Sequence, residues 1–237
     1  MKLQNLKIIL ISLLAITILI TSFVFVRSTL IGSKPNTANS LISELDNKVG
    51  NSESKVKFVY LFDYSCIYCE SNAENMTKIV AEYKNKVEFV FKHFITHKGP
   101  GTRNALASMA AGKMGKYLEY HEKLIRLAKE KGGNVTANEQ DELAKELGLD
   151  IEQFRKIRDS KNLQDELDSD QNVIKDLIVP PSEYAPGKLK PDGTPSTIIV
   201  KDGKVITWWV VPLPLEDIGE TKGVKTRIDK ILNEKQK

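Results

Sequence analysis

The strongest constraint on this chain is the run Phe58-Val-Tyr-Leu-Phe-Asp-Tyr-Ser-Cys-Ile-Tyr-Cys69, which carries its only two cysteines, Cys66 and Cys69. An apolar β-type run that ends in Cys-x-x-Cys and passes into a helical pattern presents the first sulfur at a helix N-terminus. Unpaired backbone N–H groups there stabilise a thiolate and lower its pKa. Two cysteines at this spacing cannot be the framework that staples a small secreted domain, so a catalytic or metal role is left.

The first thirty residues bear on the compartment. Lys2 and Lys7 precede an uncharged run from Ile8 to Val26 that Arg27 closes. At the helical rise this run spans about 28 Å, roughly the hydrocarbon core of a bilayer. A cleaved signal peptide has a shorter apolar core and a small-x-small cleavage site. Phe23-Val-Phe-Val-Arg27 offers no such site. We therefore expect a cytoplasmic stub at 1–7, an uncleaved transmembrane anchor at 8–26 and a tether at 27–50. The catalytic domain, 51–237, then hangs outside the cytoplasm, where two cysteines can meet oxidising conditions. The remaining chain is long enough for one good core. Its 35 basic and 31 acidic residues are interspersed along the expected helices, so nucleic-acid binding gets no support.

Along the domain, Val56 to Tyr64 reads as a buried strand, and from Cys66 a helix runs to about Asn85 with Ala73, Met76, Ile79, Val80 and Tyr83 at helical spacing. Val87 to Phe94 is a second strand, completing a βαβ unit. Two short helices follow between Asn104 and about Lys131, meeting near Gly112 to Lys116. Thr136-Ala-Asn-Glu139 is a capping box ahead of a third, and Gly148 stops it. Ile151 to Arg158 and Leu163 to Ile178 continue the helical block. Thr197 to Val200 and Val205 to Val211 form a hairpin signalled by Asp202-Gly203. A last amphipathic helix is expected over Leu215 to Leu232.

The resulting order is βαβ, a helical insert at about 101–178, then ββα, an α/β chain. Together with several separate stretches it resembles the DsbA-like thiol:disulfide oxidoreductases of the thioredoxin superfamily. The stretches are Gly50-Asn-Ser-Glu-Ser-Lys-Val56, Asp63-Tyr-Ser-Cys66-Ile-Tyr-Cys69, Gly115-Lys-Tyr-Leu-Glu-Tyr-His121, Leu147-Gly-Leu-Asp150 with Phe154, and Gly193-Thr-Pro195. The resemblance covers about Gly50 to Leu232. It implies a thioredoxin-like fold with an inserted helical subdomain and no cofactor beyond a redox-active Cys66–Cys69 disulfide.

Disulfide exchange needs one exposed, acidified sulfur to attack and a second within bonding reach to resolve the mixed disulfide. Cys66, at the helix start, is the expected nucleophile, and Cys69, one turn in and more buried, the resolving thiol. Ile67 and Tyr68 lie between them. Much of the family has proline where Ile67 stands, so Ile67 brings a backbone N–H that proline lacks. By resemblance Pro195 is the cis proline that packs against the disulfide, and Thr194 offers backbone groups to an extended substrate by β-augmentation. Many relatives carry a buried acid where this chain has Tyr60, read here as core. Asp63 and Glu70 are nearby carboxylates, and Glu70 supports the helix's first turn. Trp208 and Trp209 must point to opposite faces of a strand, one in the core and the other placed where it could line an apolar substrate surface, although core or scattered surface is the favoured reading for both.

The rival reading is a zinc site built from Cys66, Cys69, His93 and His97. The 23 residues between Cys69 and His93 exceed the roughly 12 to 15 of a small finger, and His93 falls in a strand. The expected activity is an extracytoplasmic oxidoreductase, anchored in the cell membrane with its catalytic domain on the periplasmic or cell-surface side. It would form disulfides in unfolded or exported proteins and be recycled by a membrane redox partner. A reductant or isomerase using the same site, or a redox-inactive binding or zinc module, stays open.

Overall fold

A computed structural model of the chain describes residues 38–180, 182, 190–210, 214–219 and 221–234. The expected stub 1–7 and anchor 8–26 lie outside these residues. Among the described residues no helix is long and apolar enough to cross a membrane.

In chain order the described elements are α1 (Ala38–Leu41), β1 (Asn47–Gly50), β2 (Val56–Phe62), α2 (Ile67–Tyr83), β3 (Glu88–His93), α3 (Pro100–Lys113), α4 (Tyr117–Glu130), α5 (Ala137–Glu146), α6 (Ile151–Arg158), α7 (Lys161–Lys175), β4 (Ser196–Lys201), β5 (Lys204–Val210) and α8 (Val224–Asn233). The five strands form one sheet in the order β1-β3-β2-β4-β5. β2 and β3 are parallel, and the other pairs are antiparallel. This is the expected βαβ, helical insert, ββα arrangement.

Strand side chains alternate between faces, and here both faces are covered, so β2 reads as an unbroken apolar run. Phe58, Tyr60 and Phe62 join the core under α2, the insert helices and α8. Val59 and Leu61 join a second core with Leu41, Ile174 and Leu177. Trp208 and Trp209 divide the same way, at 0% and 2% exposure. The two tryptophans therefore do point to opposite faces. Neither lines a substrate surface, because the sheet is packed on both sides.

Two local expectations need correction. The tether was expected to run to residue 50, but Asn47–Gly50 pairs with β3 as an edge strand and Leu41 is fully buried. A buried Lys92 holds this segment: its Nζ donates to Asp46 Oδ1 at 2.6 Å and to Asp170 Oδ1 at 2.7 Å. A four-residue strand is too short for periodicity to reveal. The last helix begins at Val224, not Leu215. Asp217 accepts the Gly223 N–H at 2.8 Å, and Ile218 and Thr221 bridge, so a turn occupies the expected first helical turns. Gly223 is required there, since a Cβ would stand 2.4 Å from the Glu216 carbonyl carbon.

The remaining signals act as their chemistry predicts. Thr136 and Glu139 close a reciprocal capping box at α5. Asp202 and Gly203 both take positive φ, 50° and 73°, as a tight hairpin turn requires. Helix α3 starts at Pro100, four residues ahead of the expected Asn104, with proline in its first turn.

Candidate active site

Strand β2 ends at Phe62, and four residues later Cys66 is the N-cap of α2, with extended backbone (φ −94°, ψ 115°). Its carbonyl accepts the N–H groups of Cys69 at 2.9 Å and Glu70 at 3.0 Å, which closes the first turn and brings the two sulfurs to one face. Both are thiols, within hydrogen-bond reach of each other. The Cys69 thiol is the largest influence on Cys66; the Thr194 side chain and the amides of Cys69 and Tyr68 add to it, and burial opposes them. Together they bring the Cys66 pKa down to about 5. The Cys66 side chain makes no capping hydrogen bond to the first turn. Burial drives Cys69 the other way, well above the usual thiol range, reinforced by its bond to Cys66 and by the Cys66 charge.

The Thr194–Pro195 peptide is cis. It brings the Thr194 carbonyl over the pair, where the Cys66 thiol donates to it at 3.2 Å. This contact covers the sulfur more than the sequence implied: Cys66 is 5% exposed, against 2% for Cys69. The exposed groups beside it are Ile67 at 70% and Tyr68 at 62%, an apolar lip around a recessed sulfur.

A thioredoxin family model matches residues 43–212. The chain belongs to the thioredoxin family. Among solved structures, a thiol-disulfide exchange protein, alpha-DsbA2 from Wolbachia pipientis, superposes with a TM-score of 0.61 at 17% identity, over 80% of this chain and 88% of that one. BdbD from Bacillus subtilis, in its oxidised form, matches with a TM-score of 0.61 at 20% identity, over 81% and 95%. A thioredoxin-like oxidoreductase from Silicibacter pomeroyi matches with 0.54 at 22%, over 76% and 91%. At these identities the likeness is one of fold. No curated protein sequence matches significantly.

Around the sulfur pair of this thioredoxin-family chain, the carboxylates and aromatics take distinct parts. Asp63 is fully buried and is far more than a neighbour. Its Oδ1 accepts the Ser65 N–H at 2.9 Å, and its Oδ2 accepts the N–H groups of Thr96 at 2.9 Å and His97 at 2.7 Å and the Thr96 hydroxyl at 3.1 Å. His97 Nδ1 lies 3.2 Å from the same oxygen. Gly101 at the start of α3 packs so close that a Cβ would lie 2.5 Å from Oδ1. Asp63 thus clamps the active-site turn to the loop after β3. From the sequence, His97 is named only as a zinc ligand and Thr96 is not named, because no local motif marks a loop that reaches back to a buried carboxylate.

Tyr60 is core, as expected, but its hydroxyl is not idle. Asn72 Nδ2 donates to it at 3.3 Å, and the charges of Cys69 and Cys66 are close enough to add to the effect of burial in raising its pKa. Glu70 is almost buried, and burial, followed by the Cys66 charge, raises its pKa. It is therefore an electrostatic neighbour of the sulfur as well as a first-turn residue. The histidines of the zinc reading are engaged elsewhere: His93 Nε2 lies 3.1 Å from Ser108 Oγ, and His97 sits on Asp63.

Proposed function

We propose that this chain is a protein thiol–disulfide oxidoreductase in which Cys66 is the nucleophile and Cys69 the resolving thiol. The observation that carries the reading is the opposite displacement of two neighbouring thiols, Cys66 down to about 5 and Cys69 well up. At neutral pH one sulfur is a thiolate and the other holds its proton, which is the division of labour that exchange requires. The likeness to structures titled as exchange proteins and oxidoreductases agrees with it.

In the disulfide form, a substrate thiolate attacks the Cys66 sulfur. The Cys66–Cys69 bond breaks, Cys69 leaves with the electron pair and takes a proton, and a mixed disulfide joins substrate to Cys66. The substrate's second thiolate then attacks its own bridged sulfur and expels Cys66 as a thiolate. The substrate dithiol is oxidised to a disulfide and the cysteine pair is reduced. A low-pKa sulfur leaves readily, and a stabilised thiolate favours the reduced protein, so the same acidity that activates Cys66 drives the exchange toward substrate oxidation.

Thr194 and Pro195 form the substrate edge in this reading, pairing main chain to main chain with an extended peptide, while Ile67 and Tyr68 meet its apolar side chains. The uncharged run at 8–26 supports membrane anchoring with the domain outside the cytoplasm, where exported chains supply thiols and a membrane redox partner returns the oxidised form. Measurement of the dithiol/disulfide potential tests the direction. A value near about −120 mV is expected for an oxidant, and one near about −270 mV would assign a reductant. Tight zinc retention by the reduced protein with no exchange activity would reject both.

A further inference from the structure

The exchange steps above use the sulfurs and the Thr194 loop but leave Thr96 without a part. Thr96 lies exposed on the loop after β3. Its Oγ1 stands 3.1 Å from Asp63 Oδ2, 3.3 Å from Thr194 Oγ1 and 3.0 Å from His97 Nδ1, which itself lies 3.2 Å from the same Asp63 oxygen. Three oxygens therefore run in a chain from a fully buried carboxylate to the residue that covers Cys66.

The protons in that chain can be assigned. A hydroxyl has one proton to give and lone pairs to receive others, and an ionised carboxylate is the stronger acceptor. The Thr96 proton thus goes to Asp63, and Thr96 Oγ1 turns a lone pair toward Thr194. The Thr194 hydroxyl then has two acceptors within reach: Thr96 Oγ1 and, once Cys66 ionises, the sulfur that this side chain already influences. The Thr194 carbonyl serves the other state, accepting the Cys66 proton while the thiol persists.

We propose that Thr96 is a positioning residue that competes with the Cys66 sulfur for the Thr194 hydroxyl proton, with Asp63 fixing Thr96 as an acceptor. The inference rests on the exchange reading of Cys66 and deepens it, giving the loop after β3 a share in setting the strength of the nucleophile. Removing the Thr96 hydroxyl leaves the thiolate as the remaining acceptor for Thr194, so the thiolate is held more tightly. The titratable groups that face Thr96, Asp63 and His97, and those that act on the Cys66 sulfur or are acted on by it, Cys69, Glu70 and Tyr60, are all left unsubstituted in such a variant.

The test compares full-length, reduced wild type, Thr96→Val and Thr96→Ser. Alkylation of Cys66 by iodoacetamide is followed against pH by mass spectrometry, with melting temperatures measured alongside. Thr96→Val is expected to move the alkylation midpoint downward by about half a pH unit or more, and Thr96→Ser to keep the wild-type midpoint. An unchanged or raised midpoint in Thr96→Val, or a Thr96→Ser midpoint displaced as far as that of Thr96→Val, would overturn the proposal. A merely structural role would lower the melting temperature and leave the midpoint alone.

The double variant Thr96→Val/Thr194→Val should have the midpoint of Thr194→Val, because the contested proton is gone. A further downward step in the double variant also overturns the proposal. If Thr96→Val does not fold, Thr96→Ala takes its place: it too lacks the hydroxyl, its midpoint must fall, and one that stays put or rises overturns the proposal. Failure of wild type to exchange disulfides would sink the functional reading, whereas the titration answers for Thr96 whether or not exchange occurs.

Discussion

Cys66 and Thr194, 128 residues apart in the chain, meet with 3.2 Å between sulfur and carbonyl oxygen. This contact recesses the sulfur that the helix start activates. Access is therefore set by the loop before β4, which also joins the first turn of α2 in setting reactivity.

The pair should separate cleanly in chemistry. Alkylation of Cys66 should rise through a midpoint near pH 5 and level off above it, while Cys69 stays unreactive at neutral pH. Cys66→Ser should abolish exchange. Cys69→Ser should trap mixed disulfides that gel electrophoresis without reductant reveals. Equal alkylation of both cysteines at pH 7 would contradict the assignment.

The lowered Cys66 pKa carries a sign for stability. The folded, reduced protein releases this proton near pH 5, whereas the unfolded thiol holds it up to about 9. The contribution is therefore fully present above about pH 9 and is lost as pH falls toward 5. The disulfide form has no such proton. The melting temperature of the reduced form should gain on that of the oxidised form as pH rises from 5 to 9, and calorimetry of both forms across that range checks it.

His93 and His121 are buried beneath the active-site turn, and His121 Nδ1 lies 2.8 Å from the Tyr64 hydroxyl. Burial lowers both to about 3 from 6.5, helped at His93 by the His121 and Lys92 charges. The unfolded chain thus binds these protons first. Stability is whole above pH 6.5 and declines as pH falls toward 3. Urea titrations should show a steep acid limb, and His121→Leu should flatten it, even though losing the Tyr64 partner lowers stability at pH 7. An unaltered limb in that variant would remove the histidines from the explanation.

Lys92, at 1% exposure, ties Asp46 and Asp170 to the back of the sheet. Removing Asp46 leaves Asp170 as the remaining carboxylate on the Lys92 ammonium, so the loss is that of one buried charge-assisted hydrogen bond, about 2 kcal/mol. Asp46→Ala should lower the urea midpoint accordingly and loosen β1, read as faster amide exchange over Asn47–Gly50. A chain begun at Asn51 should be less stable still, since it lacks both Asp46 and the edge strand.

The element order, the two-faced tryptophan pair, the hairpin turn, the α5 capping box and the helix start at Cys66 could all be read from the residues. Each depends on neighbours within one turn or one strand repeat, where periodicity and local hydrogen bonding dominate. Packing set the rest. Edge strand β1 exists because β3 offers it a partner, and the turn at Asp217 replaces helix because Gly223 must pass close to Glu216. The cover that Thr194 places on Cys66 and the clamp of Asp63 on Thr96 and His97 join residues dozens to more than a hundred positions apart. No local pattern encodes such contacts, because they arise only when the strand ends of one sheet bring separate loops to the same edge.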